Sequence, residues 1–197
     1  ESRRIARFAR MPSVRVRQGL VLGVLELAAL WPVFRDQIES AVRPEHGCPH
    51  SNALTNADNQ EQGREAVLCL LNKERAKRGL PALVEDRELE VAAQRHAEDI
   101  GRRNFFAHRN PDGRTPHQRI TAAGFRGQTT GENIYWASGG HNTTPSGAVD
   151  GWMHSPGHKA NILRPSFTRV GTGIAYDPPK VVMRGERVGV YVNNFGG

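Results

Sequence analysis

The stretch from Asp86 to Ile100 constrains the fold more than any other. Leu89, Ala92, Ala93, His96, Ala97 and Ile100 fall at offsets of 3, 4, 7, 8 and 11, which places all six on one face of a helix. A helix with so clean an apolar face must lie on something. The candidates come at the end of the chain, where RVGTGIAYD (169 to 177) and RVGVYVNNFG (187 to 196) alternate apolar with small or polar residues as strands do. PPKVVMRGE between them suits a hairpin-like connection, and GENIYWA from Gly131 reads as a third strand opened by Glu132.

Further helices are spelled out by their ends. Val67, Leu70 and Leu71 keep helical spacing from Arg64 to Arg78, and Gly79-Leu80-Pro81 supplies the stop. Thr115-Pro116 reads as an N-cap and first-turn proline for a short helix to about Ala123. Another helix is expected from about Ser146 to His154, broken by Pro156-Gly157, with one more turn at Lys159 to Leu163. Helices flanking a few strands without regular alternation argue for an α+β fold.

Segmentation follows from charge and polarity. Residues 1 to 18 carry six arginines against Glu1, so much of the net charge of +7 sits in this stretch and the rest of the chain is closer to balanced. Nucleic-acid binding, which needs a basic stripe on the folded domain, is therefore not expected. The apolar run GLVLGVLELAALWPVF (19 to 34) has the length of a signal-peptide core and is short for a membrane span of ~20 residues. Residues 1–43 are read as a leader, either a signal peptide or an anchor making the only membrane contact. The competing reading is an amphipathic or buried helix. Residues 44–60 form a polar, proline-containing linker, and residues 61–197 the folded domain.

Cysteine usage points the same way. Cys48 and Cys69 read as one disulfide of an exported protein. It would close a loop of about 20 residues and contribute roughly 3 kcal/mol. The competing reading is metal ligation by His46, Cys48 and His50, three ligands cramped into five residues.

Three short motifs carry polar chemistry beside turn signals: FFAHRNPDG with His108, GENI with Glu132, and WMHSPGHKANIL with His154, Ser155 and His158. There is no HExxH, since Pro156 and Gly157 separate His154 from His158, and there is no GxSxG elbow or phosphate loop. His96 sits on an apolar helix face, where a hydrogen-bonded core histidine is the ordinary reading and a ligand the sharper one. Trp152 reads as a core anchor.

Taken in order, NKERAKRGLPAL, FFAHRNPDG, GENIYW, WMHSPGHKANIL and YVNNFGG resemble the CAP superfamily of cysteine-rich secretory, venom-allergen and pathogenesis-related proteins, and within it the bacterial secreted branch. The resemblance covers about residues 61 to 197. It implies a three-layer α-β-α sandwich with a central, mainly antiparallel sheet and an open cleft. It also implies a cleft lined by His108, Glu132 and His158, with His154 beside them, where family members hold a divalent cation such as zinc. Ser155 occupies the place of the family's second glutamate, which removes one ligand or general base. The expectation is a secreted or envelope-associated binding module, not an enzyme, that takes a small molecule, lipid, glycan or peptide. The alternative is a metal-dependent hydrolase of an envelope or extracellular polymer, with His108 and His158 as ligands and Glu132 as ligand or base.

Overall fold

The computed structural model describes residues 47–176 and 188–197. The leader at 1–43, the first residues of the expected linker and the connection at 177–187 lie outside the described residues. The described part runs α1 (Gln60–Ala76), β1 (Val84–Glu85), α2 (Arg87–Arg103), α3 (Pro116–Ala123), β2 (Thr130–Ser138), a 3-10 turn at Gly140–Thr143, α4 (Pro145–His154), α5 (Pro156–Ile162), β3 (Arg169–Tyr176) and β4 (Val188–Gly196).

The four strands form one sheet in the order β1-β3-β4-β2. β4 is central and pairs antiparallel with β3 (Thr172 opposite Asn193) and with β2 (Asn133 opposite Asn193). Only β1, two residues long and parallel to β3, departs from the antiparallel pattern. It was too short to show in the alternation of the sequence.

Pleating sorts the strand side chains into two cores. On one face Val170, Ile174, Tyr191 and Phe195 pack with Val67 and Leu71 of α1, Ala148, Val149 and Trp152 of α4 and Ile162 of α5. On the other, Ile134, Ala175, Val188, Val190 and Val192 pack with Ala93, Ala97 and Ile100 of α2. A smaller cluster of Leu89, Ala92, Ile120 and Phe125 joins α2 to α3. The result is the α-β-α sandwich, with α1, α4 and α5 on one side and α2 and α3 on the other.

Glycine sets how closely α2 approaches. A Cβ on Gly171 would fall 1.9 Å from the backbone nitrogen of Glu90, and one on Gly173 would fall 2.2 Å from the carbonyl carbon of Ala93. The helix backbone therefore rests on the strand backbone, which explains alanines where a core helix more often carries leucine.

Helix ends follow the sequence signals. Asp86 caps α2 by accepting from the Leu89 amide, and Asn104 closes it in the left-handed conformation. Thr115 and Gln118 form a reciprocal capping box at α3. Pro156 corrects the expectation of a plain breaker followed by a late turn: it sits at the first position of α5, where its missing N–H costs nothing.

Side chains occupy backbone groups on both margins of the sheet. On β3, the Gln94 amide pairs with both backbone groups of Ile174, at 2.9 and 3.0 Å. On β2, the buried Trp152 indole donates to the Ile134 carbonyl at 3.2 Å, and Asn161 donates to the Glu132 carbonyl at 3.3 Å.

Cys48 and Cys69 are joined in a disulfide. This removes Cys48 from any metal-ligating role with His46 and His50. The same segment is held by Thr55, whose buried hydroxyl lies 2.7 Å from the Tyr191 hydroxyl, and by Ser51, whose carbonyl accepts from the Ser146 amide. Arg75 is fully buried on α1 and donates to the carbonyls of Pro81, Ile162, Arg164 and Phe167.

Candidate functional site

Glu132 lies near the start of β2 and faces the α2 side of the sheet with its side chain 1% exposed. A buried carboxylate needs partners, and each oxygen has one. Oε1 accepts from His108 Nδ1 at 2.9 Å, and Oε2 accepts from Arg119 Nη2 at 2.6 Å. Turning the Asn194 amide over brings its nitrogen to 3.2 Å from the same Oε2.

His108 reaches this carboxylate from the loop after α2, which Asn110 shapes. The Asn110 carbonyl accepts from the Gly113 amide, its Oδ1 accepts from the Arg114 amide, and Gly113 adopts a left-handed conformation. Arg119 fastens the loop further by donating from Nη1 to the His108 and Arg114 carbonyls, at 2.8 and 2.9 Å. The His108 side chain remains 49% exposed.

His158 arrives from the opposite layer, on α5. Its backbone carbonyl accepts from Asn133 Nδ2 at 3.0 Å, and Asn161 supports Asn133 at 2.9 Å. The His108 and His158 ring centroids lie 6.5 Å apart. Burial, and then the neighbouring His108, push the His158 pKa below the ordinary histidine value, so this ring is neutral near pH 7. His96 lies deeper, fully buried, with Nε2 3.1 Å from the Ala107 carbonyl and 3.8 Å from Glu132 Oε1. Desolvation keeps it neutral as well, outweighing the nearby carboxylate.

The remaining sequence candidates stand apart from this pair. His154 is exposed at the end of α4, with Nδ1 2.9 Å from the Asp150 carbonyl. Ser155 is the junction between α4 and α5, and its side chain caps neither helix.

A metal held by His108, Glu132 and His158 together does not fit. Both Glu132 oxygens are engaged, one by a guanidinium whose positive charge stands where a cation would be, and no group of three metal-binding side chains forms among the described residues. Glu132 instead has the geometry of a carboxylate behind a histidine, fixing its tautomer and orientation. Arg119, which sequence reading missed, is what puts it there.

The profile of the cysteine-rich secretory protein family, CAP, matches residues 68–193. The chain belongs to the CAP family. Among bacterial proteins it is 37% identical over 124 residues to the uncharacterised protein YkwD of Bacillus subtilis (strain 168), covering 62% of this chain and 47% of that one. It is 30% identical over 115 residues to the uncharacterised membrane protein YlbC of the same strain, covering 58% of this chain and 32% of the other. The chain thus spans less than half the length of the curated relatives it matches. Among solved structures, an extracellular SCP-domain protein of Bacillus anthracis str. Ames superposes with a TM-score of 0.59 at 28% identity, over 72% of this chain and 44% of that one. An outer surface protein of Borrelia burgdorferi shares the fold with a TM-score of 0.56 at 20% identity, over 72% of this chain and 94% of the other.

Proposed function

We propose that this CAP domain acts outside the cytoplasm as a noncatalytic binding module whose cleft, lined by His108 and His158, takes a polar ligand. The observation that carries this reading is the Arg119–Glu132–His108 chain. A carboxylate that is 1% exposed, with both oxygens engaged, is unsuited to act as a general base. Two imidazoles beside each other, His158 neutral near pH 7, offer ring nitrogens to the hydroxyls or amides of a small molecule, a glycan, a lipid headgroup or a peptide. A divalent cation bound there would have two protein ligands, fewer than the three of a typical catalytic zinc centre. An extracellular location is supported by the disulfide and by the likeness to the extracellular SCP-domain protein of Bacillus anthracis.

The test is a thermal-shift screen of ligands and metals on the purified chain, since whatever binds the native state raises its apparent stability. A glycan, peptide or lipid hit lost in His108→Ala and His158→Ala variants is expected. Dialysis against a chelator should leave the melting temperature unchanged within about 1 °C. Turnover of an extracellular polymer that Glu132→Gln abolishes would overturn the reading in favour of a hydrolase.

A further inference from the structure

Beside the histidine pair, the loop after α2 follows the outer margin of β2. Phe106 and His108, two residues apart in that loop, each meet a β2 side chain: the Phe106 ring lies edge-on to Trp136 with centroids 6.4 Å apart, and His108 Nδ1 lies 2.9 Å from Glu132. Glu132 and Trp136 share one face of the strand by its alternation, so the loop runs alongside β2 in the opposite direction. Phe106, Ala107 and His108 are all exposed along it, with Trp136 half-buried next to them. At 36% exposure, Phe106 is one of two large hydrophobic side chains left open among the described residues. The histidines continue the strip. The His158 ring stands 6.5 Å from His108, and the exposed His117 of α3 places Nδ1 3.2 Å from the Thr130 hydroxyl at the start of β2. From Thr130 to Trp136 the strand runs about 20 Å.

Fixed charge is spent elsewhere. Glu132 and Arg119, beneath the strip, are buried and paired with each other. Arg109, the residue after His108, turns its guanidinium back into its own loop and donates to the Gly113 carbonyl. The carbonyls of Ile134 and Glu132 are taken by Trp152 and Asn161. A ligand therefore meets aromatic rings at one end and imidazole nitrogens along the rest. A sugar ring carries both complements. Its axial C–H bonds form an electropositive apolar face suited to the negative face of an aromatic ring, and the hydroxyls around that face pair with imidazole nitrogens. A lipid chain would use the aromatic end and leave the imidazoles unpaired, and a charged polymer would find no exposed partner of fixed charge among these groups.

We propose that the cleft takes a neutral oligosaccharide of several pyranose rings, one of them stacked at Phe106 and Trp136 and its neighbours hydrogen-bonded by His108 and His158, with the chain running toward His117. This rests on the reading of the cleft as a binding site and names the ligand class of that site. The strip is longer than one sugar ring, so a monosaccharide reaches only one end of it.

The test is calorimetric titration of the full chain with cellotetraose, with chitotetraose and with the monosaccharide of each. Saturable binding of at least one tetrasaccharide is expected, tighter than that of its monosaccharide. Phe106→Ala and His108→Gln should each weaken it at least about threefold, the scale of one aromatic contact or hydrogen bond. Val84→Ala, an exposed change on β1 at the far margin of the sheet, should leave it unchanged. Preference for chitotetraose would assign the imidazoles to N-acetyl groups, and equal or weaker binding of it would assign them to ring hydroxyls. Absence of saturable binding by both tetrasaccharides, a monosaccharide that binds as tightly, or undiminished binding in either folded variant would overturn the proposal. A peptide or lipid that binds through His108 where both tetrasaccharides fail would overturn the ligand class and leave the binding module standing. Cleavage of a tetrasaccharide that Glu132→Gln abolishes would keep the ligand class and overturn the noncatalytic reading.

Discussion

Glu132 and Arg119 form an ion pair that neither can leave cheaply. Removing the guanidinium strands a carboxylate that is 1% exposed, and breaking a buried pair in this way costs about 3–5 kcal/mol. Arg119→Met should therefore destabilise strongly, while Arg119→Met/Glu132→Gln should recover much of the loss; denaturant unfolding of the four proteins in a double-mutant cycle measures the coupling. The histidines set the response to acid. Burial pushes the pKa of both His96 and His158 below the ordinary value, so the unfolded chain binds more protons than the folded protein once pH falls below about 6.5. Stability should then be full above that pH and fall on acidification toward pH 5. His96→Gln, less stable at pH 7.5, should lose less between pH 7.5 and pH 5 in the same unfolding assay. His108 and Glu132 were legible in the sequence because each sits in a short motif beside a turn. Arg119 was not, because it follows an evident helix start and carries no turn signal of its own. Nothing in local spacing says that its guanidinium crosses to β2.

The helices were readable where they announce their ends. Thr115 caps where the sequence places it, α2 begins beside Asp86 as expected, and its apolar stripe is buried as its spacing requires. Pro156 misled because proline is both a breaker and a helix starter, and only the chain geometry after Ser155 decides between the two. The close approach of α2 to β3 was also hidden, since Gly171 and Gly173 look like ordinary strand weakeners until the helix lies on them. Gly173→Ala would push a methyl group into the Ala93 backbone and should cost at least about 2 kcal/mol, in the range of overpacking, measured as a lowered denaturation midpoint with an unchanged slope. If the variant melts like the parent, α2 is not pressed on β3 as described.

For the molecule as a whole, the disulfide ties the segment before α1 to the helix. Reduction of Cys48–Cys69 opens a loop set by a separation of 21 residues and should lower stability by about 3 kcal/mol, read by unfolding with and without reductant. The side chains at the sheet margins have a further consequence. Many proteins capture an extended peptide by letting it join a sheet as an additional strand. In this chain Gln94 already satisfies Ile174 on one margin, while Trp152 and Asn161 use the carbonyls of Ile134 and Glu132 on the other. At those positions an incoming backbone finds its places taken, so a peptide partner has to be recognised there by its side chains rather than by its main chain.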